Sequence, residues 1–291
     1  MATLREIRRR IASVTKISQV TDAMRMVAIA KLRRAQEAIE ANRPYAEKFD
    51  LLLGHLLAQM DMDMDEATHP FLVSHEMKSV CLVVVSSDRG LCGGFNTSIV
   101  KASNERIGFY KNQGFDVSLV CVGRRVADSF RKREHRVVAE YLNAFQTLRF
   151  ETAIDIVSKF DELYLEKKVD KVEVIYNNFR SAITQNVLVE QLLPLTPNPP
   201  TGDDLFLDYL YEPTQSEIFE RVLSKHLNIQ TWKVLLDSHA AEHAARMTAM
   251  ENATSNAKEI IDELILQRNR ARQAIITKEI SEIVGGAEAL G

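Results

Sequence analysis

Apolar positions follow two regimes along this chain. At both ends they recur every three and four residues over long stretches, whereas in the middle they gather into short continuous runs separated by helical spacing. The longest uninterrupted stretch lies between Pro213 and Gly285 and holds neither glycine nor proline; as one helix it would run roughly 105 Å at 1.5 Å per residue. Thr214 stands three residues before Glu217, the capping-box spacing in which each side chain satisfies the other's orphan backbone donor. Gly285-Gly286 is expected to supply a left-handed stop. Inside, Met250, Ala257, Leu264 and Ala271 repeat every seven residues, interleaved with Met247, Thr254, Ile261, Arg268 and Ile275, which draws one narrow coiled-coil seam. Ala, Thr and Arg weaken a seam that Leu would lock, so this helix is expected to touch different partners along its length.

The N-terminus carries a second capping box, Thr3 and Glu6, and no Gly or Pro follows until Pro44, which predicts a first helix of at least forty residues. Leu4, Ile7, Ile11 and Val14, then Ala28, Leu32, Ala35 and Ile39, keep the coiled-coil spacing around a polar middle at Ser18, Thr21 and Arg25. The two terminal helices are expected to pair antiparallel if a globular middle joins them. The C-terminal one is longer, so part of it must project without a partner from its own chain. That part carries Ile275, Ile276, Ile280, Ile283 and Val284, an apolar surface that another protein is expected to cover.

After an acidic hinge at Asp61, Asp63, Asp65 and Glu66, the period changes. Strands are predicted at 80–86, 116–122 and 171–176, helices at 97–111, 123–133 and 147–166, and an antiparallel edge strand at 182–190. The alternation predicts a Rossmann-like α/β domain, a mainly parallel sheet with helices against its faces, within a fold of α/β plus long coiled coil. A Pro-rich run from Pro194 to Pro200 separates it from the final helix. The expected domains are residues 1–60, 75–200 and 208–286.

A hydrophobic content of 46% in 291 residues can bury a substantial core, and a net charge of -3 gives no global pull toward nucleic acid. No apolar run approaches the length needed to span a bilayer, and no signal peptide is evident, so a cytoplasmic setting is expected. Three cysteines, Cys81, Cys92 and Cys121, lack metal spacing and fit a reduced compartment. The first helix changes the charge picture: Arg5, Arg8, Arg9, Arg10, Lys16, Arg25, Lys31, Arg33 and Arg34 stand against Glu6, Asp22, Glu37 and Glu40. A solvated face is one reading, and a basic shaft steered toward acidic loops is the other. Nucleic acid is disfavoured because aromatics are not interleaved.

Two stretches invite chemistry. Residues 86–96, Ser-Ser-Asp-Arg-Gly-Leu-Cys-Gly-Gly-Phe-Asn, lie between a strand and a helix, where phosphate loops sit, yet lack both dinucleotide and P-loop spacing. A tight structural or docking turn is the preferred reading. His239, Glu242 and His243 spell a zinc-protease pattern on a helix, but chance on a long polar face is preferred. Spacing alone assembles no nucleophile, base and orienter, so no intrinsic catalysis, cofactor or metal is expected.

The run Ile7-Arg8-Arg9-Arg10-Ile11-Ala12-Ser13-Val14, the stretch Ala23 to Ala28, the turn at 86–96, Asp208 to Pro213, Glu242 to Ala257, and the tail from Asn269 through Thr277 to Ala287 resemble the gamma subunit of the rotary F-type ATP synthase. The resemblance covers both termini and punctuates the middle. It implies an axle: an asymmetric antiparallel coiled coil whose projecting C-terminal end sits in a hydrophobic sleeve of the alpha-beta hexamer. Catalysis then belongs to the beta subunits. Met26, Asp88, Arg89, Gly90, Cys92, Arg272, Gln273 and Thr277 match family residues at beta contacts. Tyr209, Tyr211 and Glu212 match the foot that meets the membrane c-ring. The resemblance further implies an epsilon partner on the middle domain and a peripheral place at the cytoplasmic face of the bacterial inner membrane. Asp22 and Arg25 invert the charges many bacterial relatives carry, and no dithiol segment for redox control is inserted. A coiled-coil tethering or adaptor protein with an α/β domain is the alternative.

Overall fold

A computed structural model describes residues 3–59, 69–73, 76–181, 184–196, 212 and 214–288. The chain folds as two compact units, one made of Met1–Ala28 with Arg246–Gly291 and the other of Ile29–Ala245.

The first helix, α1, spans Leu4–Gln59. Its N-terminal box forms as the spacing predicts: Glu6 N donates to Thr3 Oγ1 at 3.3 Å and Thr3 N to Glu6 Oε2 at 2.8 Å. The helix does not stop at Pro44. A proline inside a helix costs about 3 kcal/mol through the lost donor and ring clash. Here that cost is offset because the following turns bury Ala46, Leu53 and Leu56.

A short 3₁₀ turn at Pro70–Leu72 precedes the sheet domain. Its elements are β1 (Ser79–Val85), α2 (Phe95–Asn112), β2 (Asp116–Val122), α3 (Arg124–Arg131), β3 (Val137–Tyr141), α4 (Phe150–Leu165), β4 (Lys171–Phe179) and β5 (Gln185–Leu193). The strand order is β3-β2-β1-β4-β5, parallel except for β5, which runs antiparallel at the edge. Both faces are covered, which explains the continuous apolar strands. Val83, Val85, Val120 and Val174 face Ile156, Phe160 and Tyr164 of α4, whereas Leu82, Val84, Leu119 and Cys121 face α2 and α3 through Ile99, Ile107, Val126 and Phe130. Sequence reading left β3 out: it is a five-residue edge strand, half-buried throughout, so it shows no clear alternation.

One buried strand position is charged. Glu173, 2% exposed, accepts from Arg106 Nε at 2.7 Å, Arg106 Nη2 at 2.6 Å and Tyr110 Oη at 2.6 Å, with Lys171 Nζ 2.8 Å away. Burial pushes this carboxyl upward, but the bonds from Arg106, Lys171 and Tyr110 outweigh it and hold it below the usual glutamate range.

The last helix, α5, spans Gln215–Glu288, and Glu217 N donates to Thr214 Oγ1 at 3.3 Å. The expected stop at Gly285-Gly286 is corrected: the helix runs through both glycines, and Gly285 does not take a left-handed φ. Glycine costs a helix only about 1 kcal/mol, which a preceding long helix can carry. Thr21 of α1 meets Thr254 of α5, and Asp50, further along α1, meets Gln230, earlier on α5, so the two helices pair antiparallel.

Candidate docking surfaces

In the unit that joins the two chain ends, the seam is as narrow as the heptads require. Ile7, Met250, Thr254, Ala257 and Leu264 are buried, Ile261, Arg268 and Ala271 half-buried. The Thr21 and Thr254 hydroxyls lie 2.8 Å apart within it, and each also has a carbonyl of its own helix in reach, Ser18 O for Thr21 and Met250 O for Thr254, so one hydroxyl donates across the seam while the other donates to its own helix. Asp22 and Arg25, the inverted pair, bind each other at 2.8 Å. Extending the Thr21–Thr254 register sets Leu4 opposite Ala271, so α5 beyond that point has no α1 residue to face. Every side chain from 272 to 285 is exposed, including Arg272, Gln273 and Thr277. Ile275, Ile276, Ile280, Ile283 and Val284 fall within about half the helix circumference at 3.6 residues per turn. Met26 on α1 is 58% exposed, beside exposed Val27. Arg5, Arg8, Arg9, Arg10 and Lys16 are exposed and, among the described residues, form no ion pair.

In the other unit, residues 86–96 form a turn whose interior is filled by its own side chains. Ser87 N donates to Asn96 Oδ1 at 3.1 Å, Ser87 Oγ donates to Arg89 O at 2.6 Å, and Asn96 Nδ2 donates to Cys92 Sγ at 3.1 Å. Leu91 and Gly93 take left-handed φ values of 63° and 57°. Cys92 and Phe95 are buried against Ala241 of α5. The turn thus presents Arg89 and Leu91, the latter 64% exposed, and keeps Cys92 inside.

Asp88 also points inward. Its carboxylate is 9% exposed and accepts from the backbone amides of Arg124 at 3.1 Å, Asn143 at 2.8 Å and Phe145 at 3.2 Å, tying the turn to the loops after β2 and β3. Sequence reading did not single out Arg124, Arg125 or Asn143. The signal was present in Gly123-Arg124-Arg125, which follows an apolar strand just as the 86–96 turn does.

Of the foot residues, Glu212 is exposed, and Tyr209 and Tyr211 lie outside the described residues. His239 and His243 pack edge to face with ring centres 4.5 Å apart, and Phe145 stacks on His239 at 5.7 Å. Among the described residues no group of three or more His, Cys, Asp or Glu side chains is arranged to hold a metal. Cys81, Cys92 and Cys121 are buried and in no disulfide, and burial pushes Cys81 and Cys121 up to about 12. No helix among the described residues is long and apolar enough to cross a membrane.

Two long paired terminal helices and a mainly parallel five-stranded sheet define an α/β protein with a helical coiled coil. Residues 3–290 match the family described as ATP synthase. The ATP synthase gamma chain of Chloroherpeton thalassium is 48% identical, with 100% of this chain and 99% of that protein covered, and that of Prosthecochloris aestuarii is 46% identical over the same shares. Among solved structures, the central stalk and c-ring of the Tetrahymena thermophila mitochondrial ATP synthase has a chain 25% identical, with a TM-score of 0.60, covering 80% of this chain and 99% of that one. A chain of the Euglena gracilis mitochondrial ATP synthase has a TM-score of 0.70 at 19% identity, covering 99% and 94%, and speaks to the fold alone. The chain belongs to the ATP synthase gamma chain family. It is a non-catalytic subunit of the central stalk, a rotor component.

Proposed function

We propose that this chain carries torque between a proton-driven c-ring and the catalytic beta subunits of an alpha-beta hexamer. The observation that supports this most is the end of α5, which outruns α1 and leaves five large aliphatic side chains exposed. A hydrophobic sleeve of the hexamer would cover them while Arg272, Gln273 and Thr277 hydrogen-bond a beta loop and Met26 lies beside another. Contact that differs around the ring would favour a different conformation at each catalytic site in turn. Arg89 and Gly90 would meet beta C-terminal domains, with Asp88 and Cys92 holding the turn from inside. Tyr209, Tyr211 and Glu212 would sit on polar loops of the c-ring. An epsilon subunit would dock on the sheet domain. The assembly would place the chain at the cytoplasmic face of a bacterial plasma membrane, held there through the ring.

The test is Arg272→Ala with Gln273→Ala in the membrane-reconstituted complex. Charge-assisted bonds are worth about 1.5 to 3 kcal/mol each. Helix content should stay level while proton-driven ATP synthesis falls at least several-fold. Unchanged synthesis together with early melting of the chain would make these residues structural and remove the beta contact.

A further inference from the structure

A side chain that neither the heptads nor the resemblance brought forward lies against the 86–96 turn. A Cβ added to Gly90 would stand 2.6 Å from Arg125 Nη2 and 3.3 Å from its Cζ, so the guanidinium occupies the space a side chain at residue 90 would need. The arginine is held there from its backbone. Three successive amides opening α3 bind three successive residues of the turn: Arg124 N to Asp88 Oδ1 at 3.1 Å, Arg125 N to Ser87 O at 3.2 Å, and Val126 N to Ser86 Oγ at 3.0 Å. Arg124 and Arg125 are both exposed, and among the described residues neither has a carboxylate within ion-pair distance. Asp88, the acid within the turn itself, is spent on three amides, and Asp128 one turn along α3 pairs with neither arginine. The surface so built holds Arg89, Arg124, Arg125 and exposed Leu91.

We propose that Arg125 is a docking side chain for a carboxylate on an acidic segment of the partner protein at this turn, and that Gly90 is the residue that gives its guanidinium that place. This rests on the reading that the turn faces the beta subunits. The amide bond to Ser87 O fixes where the Arg125 side chain leaves the backbone, the missing side chain at Gly90 leaves room for its guanidinium against the turn, and the guanidinium fork suits a carboxylate bidentately. A lysine in the same position would keep the charge and lack the fork.

The experiment is assembly of the full chain with purified alpha-beta hexamer, measured as affinity at low and physiological salt, for Arg125→Ala, Gly90→Ala, the double variant, Arg125→Lys and Leu91→Ala. Each of the first two should weaken assembly by roughly threefold to tenfold, more at low salt. The double variant should be no worse than Arg125→Ala, because both changes remove the same guanidinium from the same place. Arg125→Lys should recover part of the loss. Gly90→Ala should leave the chain's melting temperature unchanged, since only the far end of a flexible side chain must move. Additive losses would overturn the coupling of Gly90 to Arg125. Silent Arg125 variants alongside a weakened Leu91→Ala would overturn the arginine contact and leave the turn a docking site. If every variant is silent, the turn does not dock, and the underlying reading fails with the inference.

Discussion

Replacing Asp88 asks how much of the 86–96 turn is held by one carboxylate. Its Oδ1 accepts from Arg124 N at 3.1 Å and Asn143 N at 2.8 Å, and its Oδ2 from Phe145 N at 3.2 Å. Bonds to a charged acceptor contribute about 1.5 to 3 kcal/mol each, and a buried donor left unmade costs about 1 to 3 kcal/mol. Asp88→Ala leaves three such donors, of which the amides of Arg124 and Asn143 are only part-buried and can reach water, so the expected loss is about 3 to 5 kcal/mol rather than the full sum. Asp88→Asn should cost about 2 kcal/mol, because Oδ1 survives as an acceptor for two amides while the new NH₂ meets the third as a second donor. Trp232, the single tryptophan, lies edge-on to Phe150 at 5.9 Å in the same unit as the turn and reports its unfolding. With a urea slope of about 2 to 3 kcal/mol per molar, the midpoint should fall by about 1 M for Asn and roughly twice that for Ala. Equal losses for the two variants would refute the division of labour between the oxygens. Losses under about 0.5 kcal/mol for both would mean that the carboxylate does not hold the turn.

Gly123 takes φ 96°, and a Cβ there would meet Ser86 O at 2.2 Å, a backbone atom that cannot swing aside. Gly123→Ala should therefore destabilise the sheet domain by about 3 kcal/mol, read from the same Trp232 transition, whereas Gly90→Ala costs almost nothing. Asp161 offers a pH test: burial pushes its carboxyl from 3.8 up to about 7. A raised acid binds its proton more tightly when folded, so its stabilisation is present below 3.8 and lost as pH rises through about 7. Asp161→Asn should flatten that loss and leave the variant more stable above pH 7 by about 1 to 2 kcal/mol, the full shift being reduced by the group's residual exposure. An unchanged pH profile would show that Asp161 is solvated in the folded chain.

The elements that strict periodicity marks were legible in advance. The Ile7 to Val14 heptads and the seam from Met250 to Ala271 lie where repeated burial on one face forces the pattern, and the strand at 116–122 lies where burial on both faces forces a continuous apolar run. Features set by a single long-range contact were not. β3 is defined by its pairing to β2, and its five half-buried residues carry no pattern of their own. Gly285-Gly286 reads as a stop because glycine favours left-handed φ, yet nothing in the sequence states that the helix before it can carry the cost. Asp88 falls between these cases. Its place in the turn was readable, but the direction of its carboxylate depends on amides 36 and 55 residues away.

The outrunning end of α5 shows why chain continuity matters to such a part. An isolated helix shorter than about 12 to 15 residues is marginal in water because its first turn is costly to nucleate. The segment from Arg272 to Glu288 needs no nucleus of its own, since it extends a helix already fixed at Met250, Thr254, Ala257 and Leu264 by burial against α1. Propagation then adds one hydrogen bond per residue ordered, and local contacts such as Ser281 Oγ to Thr277 O at 2.9 Å and Lys278 to Glu282 at 3.5 Å contribute only tenths of a kcal/mol each. The helix is thereby set before any partner arrives, and its isoleucines are held in fixed positions on one side rather than collapsed on each other. Burying five such side chains could contribute on the order of 8 to 15 kcal/mol before the costs of association. That contribution is non-directional, so in the proposed assembly it would hold a shaft in a sleeve without fixing its angle. Angle-dependent contact would then fall to polar side chains such as the proposed Arg272 and Gln273, because hydrogen bonds form only in particular orientations.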